Sequence, residues 1–184
     1  MLQQTQVKRV LDFYPKFLAR YPTAEELAAA SPAAVREAWE GLGYYRRAEN
    51  LHRAAREVAE RHGGRFPDTP EALRSLPGVG RYTAGAVASF AFERDAAILD
   101  TNAARVLSRV FGAGRRRGRA GRLWALAAAV VPPGRGYDFN QGIMDLGATV
   151  CTARRPACPR CPVRRACRTA ASAMAVAGRR GPQK

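Results

Sequence analysis

The sequence predicts an all-α protein. Apolar residues recur at helical spacing along most of the chain. Residues that cap helix N-termini stand just ahead of several of these runs. No segment sustains an apolar–polar alternation of period two, so strands are not expected.

The elements follow in order. Val7, Val10, Leu11, Tyr14 and Phe17 fall at helical spacing and are expected on one inward face of a first helix. Thr23 precedes Glu26 at capping-box spacing, which starts a second helix. Ser31-Pro32 reads as an N-cap followed by proline at the first helical position, and Val35 and Trp39 should face inward from that helix. A longer helix is expected over 47–61, burying Leu51, Ala54, Ala55 and Val58, and His62-Gly63-Gly64 ends it. Thr69-Pro70 opens a short helix, Pro77-Gly78-Val79-Gly80 interrupts, and a new helix starts near Arg81. Further helices are expected over 101–111, 119–131 and 138–150. Residues 112–118, rich in Arg and Gly, read as an exposed loop, and 171–184 as a basic, disordered tail. His52 and His62 read as ordinary helix residues rather than ligands.

A chain of 184 residues, 47% of them hydrophobic, can bury a sizeable core in one domain or two small ones. No apolar run approaches the ~18–20 residues of a membrane span, and the N-terminus lacks a signal-peptide layout. The expectation is a soluble, cytoplasmic protein with no membrane partner. Lys and Arg number 31 against 15 Asp and Glu, a net charge of +16. An excess of this size points to a polyanion, nucleic acid above all.

All four cysteines lie between Cys151 and Cys167, as C-x6-C-x2-C-x5-C with Cys158 and Cys161 between them. A disulfide scaffold spreads its cysteines, so this clustering argues for metal. Four thiolates this close can wrap one [4Fe–4S] cluster. Zinc is the alternative, but a four-cysteine zinc site commonly uses two C-x2-C pairs, and only one exists here. Arg154, Arg155, Arg160, Arg164 and Arg165 stud the segment, either to meet phosphates or to offset cluster charge.

Leu76-Pro77-Gly78-Val79-Gly80-Arg81 has the form of a helix-hairpin-helix turn. Its glycines permit a tight turn and close approach of backbone to a phosphate. Backbone N–H groups and the positive end of the next helix would hold that phosphate. Val79 would plug the hairpin into the core. An ordinary helix–helix turn remains the alternative reading. Asp100, just before the helix at Thr101, can serve as its N-cap.

Taken together, the hairpin, Asp100 and the cysteine cluster resemble the helix-hairpin-helix, endonuclease III-like DNA glycosylases that carry a [4Fe–4S] cluster. Three further segments narrow the resemblance to adenine glycosylases of the MutY type: Met1-Leu2-Gln3-Gln4-Thr5-Gln6-Val7, Gly41-Leu42-Gly43-Tyr44-Tyr45 and Phe139–Ala148. The resemblance spans about residues 1–170. It implies a two-lobed helical fold: a six-helix lobe over 1–95 with the hairpin, a cluster lobe over 96–170, and DNA with its flipped base in the cleft between.

The resemblance also implies an activity, excision of adenine mispaired with 8-oxoguanine or guanine in double-stranded DNA, by a monomer working on the nucleoid. Extrusion of the base is cheapest at a mispair. Gln4, with Thr5 beside it, would insert into the duplex. Tyr44 would stack beside the lesion base and Leu42 would lie close to it. Gly78, Val79, Gly80 and Arg81 would hold the backbone, and Asp145 would border the adenine pocket. Asp100 would stabilise the sugar cation as the glycosidic bond breaks, with Asn102 holding sugar and water. Tyr82 stands where bifunctional relatives carry a Schiff-base lysine, so base release without strand nicking is expected; a packing tyrosine is the plainer alternative.

The family's general-acid Glu lies two residues before the position of Met1, and its C-terminal 8-oxoguanine-recognition domain follows the end of this sequence. The expectation is a truncated form, weakly active or inactive as written, with an internal Met taken as the start. A thymine glycosylase acting on T opposite G, and a non-catalytic DNA-binding remnant, are the competing readings.

Overall fold

The computed structural model describes residues 1–112 and 119–171; the expected loop from 113 and the expected tail from 172 lie outside the described residues. Those described are helical, with no strand among them. The order is α1 (Val7–Arg20), α2 (Ala24–Ala29), α3 (Pro32–Ala38), α4 (Arg46–His62), α5 (Pro70–Leu73), α6 (Arg81–Phe92), α7 (Thr101–Val110), α8 (Arg119–Val130) and α9 (Gly136–Asp145), with a π-helical turn over Leu146–Val150. Among the described residues no helix is long and apolar enough to cross a membrane.

The cap signals act as their chemistry dictates. Thr23, Ser31 and Thr69 each accept a hydrogen bond from the backbone N–H three residues on, at 3.2–3.3 Å. Gly63 ends α4 in the left-handed conformation at φ 56°.

The chain forms two compact units, Met1–Ala84 and Gly85–Lys184. In the first, Phe17 meets the rings of Tyr21 and Trp39 edge-on at 5.2 and 5.7 Å. Leu27 and Val35 close this core against Ala48 and Ala55 of α4, whose short side chains admit α2 and α3 closely. Two expectations fail here. On α1 only Val10 and Phe17 are buried, while Val7, Leu11 and Tyr14 are exposed, because helical spacing spreads these residues over two adjoining faces. On α4 His52 is buried and Leu51 exposed, so the inward face is set one residue over.

In the second unit, Val106 and Leu107 of α7 pack with Leu123 and Ala127 of α8 and Ile143 of α9. Helix α6 passes the segment after it so closely that a Cβ on Gly85 would lie 2.3 Å from the Ala97 carbonyl oxygen. The Asp95 carboxylate accepts from the N–H groups of Gly134 and Gly136 at 2.7 and 3.0 Å, fixing the start of α9. Asn140, 1% exposed, donates to Ser89 Oγ and the Ala96 carbonyl at 2.9 and 2.8 Å. Truncating it strands two buried groups. Asn140→Ala should therefore destabilise the protein by about 1–3 kcal/mol in denaturant unfolding; an unchanged midpoint would mean that Ser89 and Ala96 find other partners.

Candidate functional site

The first unit presents a surface built largely from turns. Between α3 and α4 the chain turns through Gly41 and Gly43, at φ 92° and 71°. A Cβ at Gly41 would press on the Phe13 ring at 3.0 Å; at Gly43 there is space, so the left-handed backbone alone selects glycine. Tyr44 follows with φ 49° and a side chain 62% exposed. On the N-terminal segment Gln4 also has positive φ, 58°, and is exposed. Side chains pay about 1–3 kcal/mol for such conformations, which persist only where neighbours enforce them. Gln4 and Tyr44 line one open hollow of about 510 Å³ with Tyr45 and Asn50.

Leu42 departs from expectation. It is 5% exposed and packed in the core with Val10 and Trp39 rather than out on the surface. Its role is to anchor the loop from below. Trp39 Nε1 helps from the same side, donating to the Gly43 carbonyl at 3.2 Å.

The sequence reading missed Arg47. Its guanidinium donates to the carbonyls of Met1 (2.6 Å) and Gln3, to Thr5 Oγ1 at 2.9 Å, and to the carbonyls of Leu42 and Gly43 at 3.3 and 3.1 Å. Its carbon also lies 5.5 Å from the ring centres of both Trp39 and Tyr44. Burial, and after it the Arg47 charge, hold the Met1 amine below the usual α-amino range. One signal was available: Arg47 sits in the first turn of α4, where the helix dipole disfavours a cation.

The hairpin follows α5. Val79 N–H donates to the Leu76 carbonyl at 3.1 Å, and Ala84 N–H to the Gly80 carbonyl at 2.9 Å. Leu76 is the buried plug, at 3% exposure, and Val79 is only half-buried, a second correction. Gly78 has φ 76°, and a Cβ there would lie 2.6 Å from Asn50 Cβ. Gly80 has ordinary φ and open space around it. Arg81 and Tyr82 are exposed at the head of α6, and Gln3 Nε2 donates to Thr83 Oγ1 at 3.4 Å.

In the second unit, Asp100 Oδ1 accepts from the Ala103 N–H at 2.6 Å and caps α7. Asn102 Oδ1 accepts from Arg105 Nη2 at 2.7 Å. Arg105 also donates to the carbonyls of Gly147 and Cys151, at 2.7 and 2.8 Å. The π turn passes so near α7 that a Cβ on Gly147 would lie 2.6 Å from Asn102 Cβ. It ends with Cys151 N–H donating to the Leu146 carbonyl at 2.6 Å. Asp145 is exposed, beside an apolar hollow of about 620 Å³ that Val106, Ile143 and Leu146 help line.

The four cysteines are unpaired thiols, and all four line one cavity of about 170 Å³. Short 3-10 turns at Cys158–Arg160 and Arg164–Ala166 carry the chain around it. Arg109 donates to Cys151 Sγ at 3.3 Å and to the carbonyls of Thr152 and Ala153 at 2.8 and 2.9 Å. Among the described residues, no group of three or more His, Cys, Asp or Glu converges as for a single metal ion.

Helical units with a glycine-turned hairpin and a surplus of positive charge define a helix-hairpin-helix protein. Residues 1–135 match the HhH-GPD superfamily of base excision DNA repair proteins, and the chain belongs to that superfamily. It is 49% identical over 172 residues to adenine DNA glycosylases of Rattus norvegicus and Homo sapiens, across 91% of this chain and 33% and 32% of theirs. The chain thus spans about a third of these curated relatives. Its fold is similar to a thermostable thymine-DNA glycosylase, with TM-score 0.83, 35% identity, and coverage of 93% of this chain and 80% of that one. A non-covalent endonuclease III–DNA complex gives TM-score 0.77 at 25% identity, covering 95% and 81%.

The two hairpin glycines are separable. Gly78→Ala meets both strain and Asn50, and should destabilise the protein by more than about 1 kcal/mol. Gly80→Ala should leave thermal stability nearly unchanged, yet weaken binding to duplex DNA by about ten-fold, if a phosphate approaches that backbone. Equal DNA affinity for Gly80→Ala and the parent would remove the hairpin from the interface.

Proposed function

We propose that this chain is the catalytic part of a base-excision DNA glycosylase that hydrolyses the N-glycosidic bond of adenine mispaired with 8-oxoguanine or guanine. The observation that carries the reading is 49% identity to adenine DNA glycosylases across 91% of the chain. The partner is double-stranded DNA, drawn by the net charge of +16. It acts as a monomer, in the cytoplasm and on the nucleoid. Residues 1–95 serve as the hairpin lobe and 96–170 as the cluster lobe.

Exposed Gln4 and Tyr44, both in left-handed backbone, are the side chains that enter the duplex. Gly78, Val79, Gly80 and Arg81 hold a phosphate at the head of α6. Asp100 uses Oδ1 as a cap; its second oxygen is the one assigned to the developing sugar cation. Asn102, held by Arg105, orients sugar and water, and Asp145 borders the base. Tyr82 offers no amine for a Schiff base, so the enzyme is monofunctional.

Cys151, Cys158, Cys161 and Cys167 hold a [4Fe–4S] cluster. Four free thiols spaced around a cavity fit a cluster better than one zinc ion. When bound, the cluster cross-links residues 151–167. Protein purified without oxygen should carry about four iron and four sulfide per chain. One zinc and no sulfide would overturn this assignment.

Single-turnover base release tests the activity, on duplexes bearing A opposite 8-oxoguanine, A opposite G, or T opposite G, with alkali to reveal abasic sites. Weak adenine release from the first two is expected. Thymine release alone would move the assignment to the activity named for the thymine-DNA glycosylase of similar fold. Binding without any release would make the chain a non-catalytic DNA-binding form. Tyr82→Lys should add strand nicking that borohydride traps as a protein–DNA adduct.

A further inference from the structure

We infer that Arg47 is a positioning residue that clamps the two duplex-entering side chains into a single arrangement; this rests on the reading of Gln4 and Tyr44 above. Gln3 and Gly43 are the residues immediately before them. A carbonyl of residue i−1 shares its peptide plane with the N–H of residue i, so holding that oxygen restrains φ of residue i. Arg47 donates to the carbonyls of both Gln3 and Gly43. It therefore fixes the two planes that lead into the positive-φ residues Gln4 and Tyr44.

Its other bonds brace the same two segments. Met1 O and Thr5 Oγ1 hold the first, and Leu42 O holds the second. The guanidinium carbon lies 5.5 Å from the Tyr44 ring centre, so the clamp also touches one of the side chains it positions. Neither segment belongs to a helix, and each needs partners for its carbonyls from elsewhere. Only a planar fork of donors serves two segments at once; a lysine ammonium is a single point on a flexible stem.

The clamp matters at one step, when a base leaves the stack and the inserted side chains take its place. A duplex already lacking that base makes no such demand. The test compares wild type with Arg47→Lys on two duplexes: one with 2-aminopurine opposite 8-oxoguanine, whose fluorescence rises on extrusion, and one with an abasic-site analogue in its place. Arg47→Lys should reduce extrusion at saturating protein at least ten-fold while binding the abasic duplex within two-fold of wild type. A merely structural role would weaken both duplexes alike and would overturn the proposal, as would a Lys variant that extrudes like wild type. Circular dichroism checks the fold. If Arg47→Lys loses helicity, Thr5→Val removes one clamp contact, and a three-fold or greater selective loss of extrusion supports the clamp while wild-type behaviour refutes it. A wild-type chain that extrudes no base would overturn the glycosylase reading and the clamp with it. Wild-type extrusion matched by Arg47→Lys overturns the clamp alone.

Discussion

Irregular backbone has no helix or sheet ladder to satisfy its carbonyls, and in this protein half-buried guanidinium groups do that work. Arg47 serves the N-terminal segment and the Gly-Leu-Gly loop of the first unit. Arg105 and Arg109 serve the π turn and the start of the cysteine segment in the second. Hydrogen bonds from a charged donor contribute about 1.5–3 kcal/mol each, roughly twice a neutral pair. Several converging on one side chain hold a turn that would otherwise sample many conformations. The choice of carbonyls over carboxylates has a second effect. A carboxylate partner would cancel the charge, whereas a carbonyl dipole leaves it in place. The salt bridges Arg20–Glu37 and Arg56–Glu60 are exposed and lie elsewhere. The arginines that shape the two units therefore still add to the field that attracts a polyanion.

Strain and space divide the site between two kinds of glycine. Gly41, Gly43 and Gly78 sit where φ is positive and the fold itself requires them. Gly80 satisfies no such internal need. Under the proposed function, that open space leaves the Gly80 backbone accessible to a phosphate. Gln4 and Tyr44 reverse the logic: they occupy left-handed backbone despite having side chains, and Arg47 accounts for how that conformation is held.

The sequence makes the local chemistry legible and the sidedness less so. Thr23, Ser31, Thr69 and Asp100 all cap as read, because capping needs only the residue and its N–H three positions on. The hairpin and the cysteines are equally local. Which face of a helix is covered depends on its neighbours, so Leu11 and Tyr14 on α1 and Leu51 on α4 are exposed although their spacing suits burial. Leu42 stands in a motif read as surface-facing and turns into the core, where Trp39 and Val10 form a pocket no spacing rule reveals. Nothing in their local sequence singles out Arg47, Arg105 and Arg109, since arginine is usually solvated. Only their positions hinted otherwise: Arg47 at the wrong end of a helix dipole, and Arg105 and Arg109 one turn apart on α7.

That spacing on α7 has a mechanical consequence. Residues four apart on a helix share a face, so both guanidiniums reach toward the segment around Cys151. Arg105 in addition holds Asn102, two residues past the capping Asp100. Gly147 removes the side chain that would keep the π turn away from Asn102. The first turn of α7, the π turn and the backbone of Cys151 are thus joined through one guanidinium and one missing Cβ. A displacement of the cysteine segment must either break charged hydrogen bonds or carry Asn102 with it. Cys151 sits far along the chain from Asp100, yet the packing leaves it little freedom to move independently of the first turn of α7. An ordinary α-helical turn at Leu146–Val150 would place Cys151 differently on the helix, which is why the wider turn belongs to the construction of this site rather than to the fraying of a helix end.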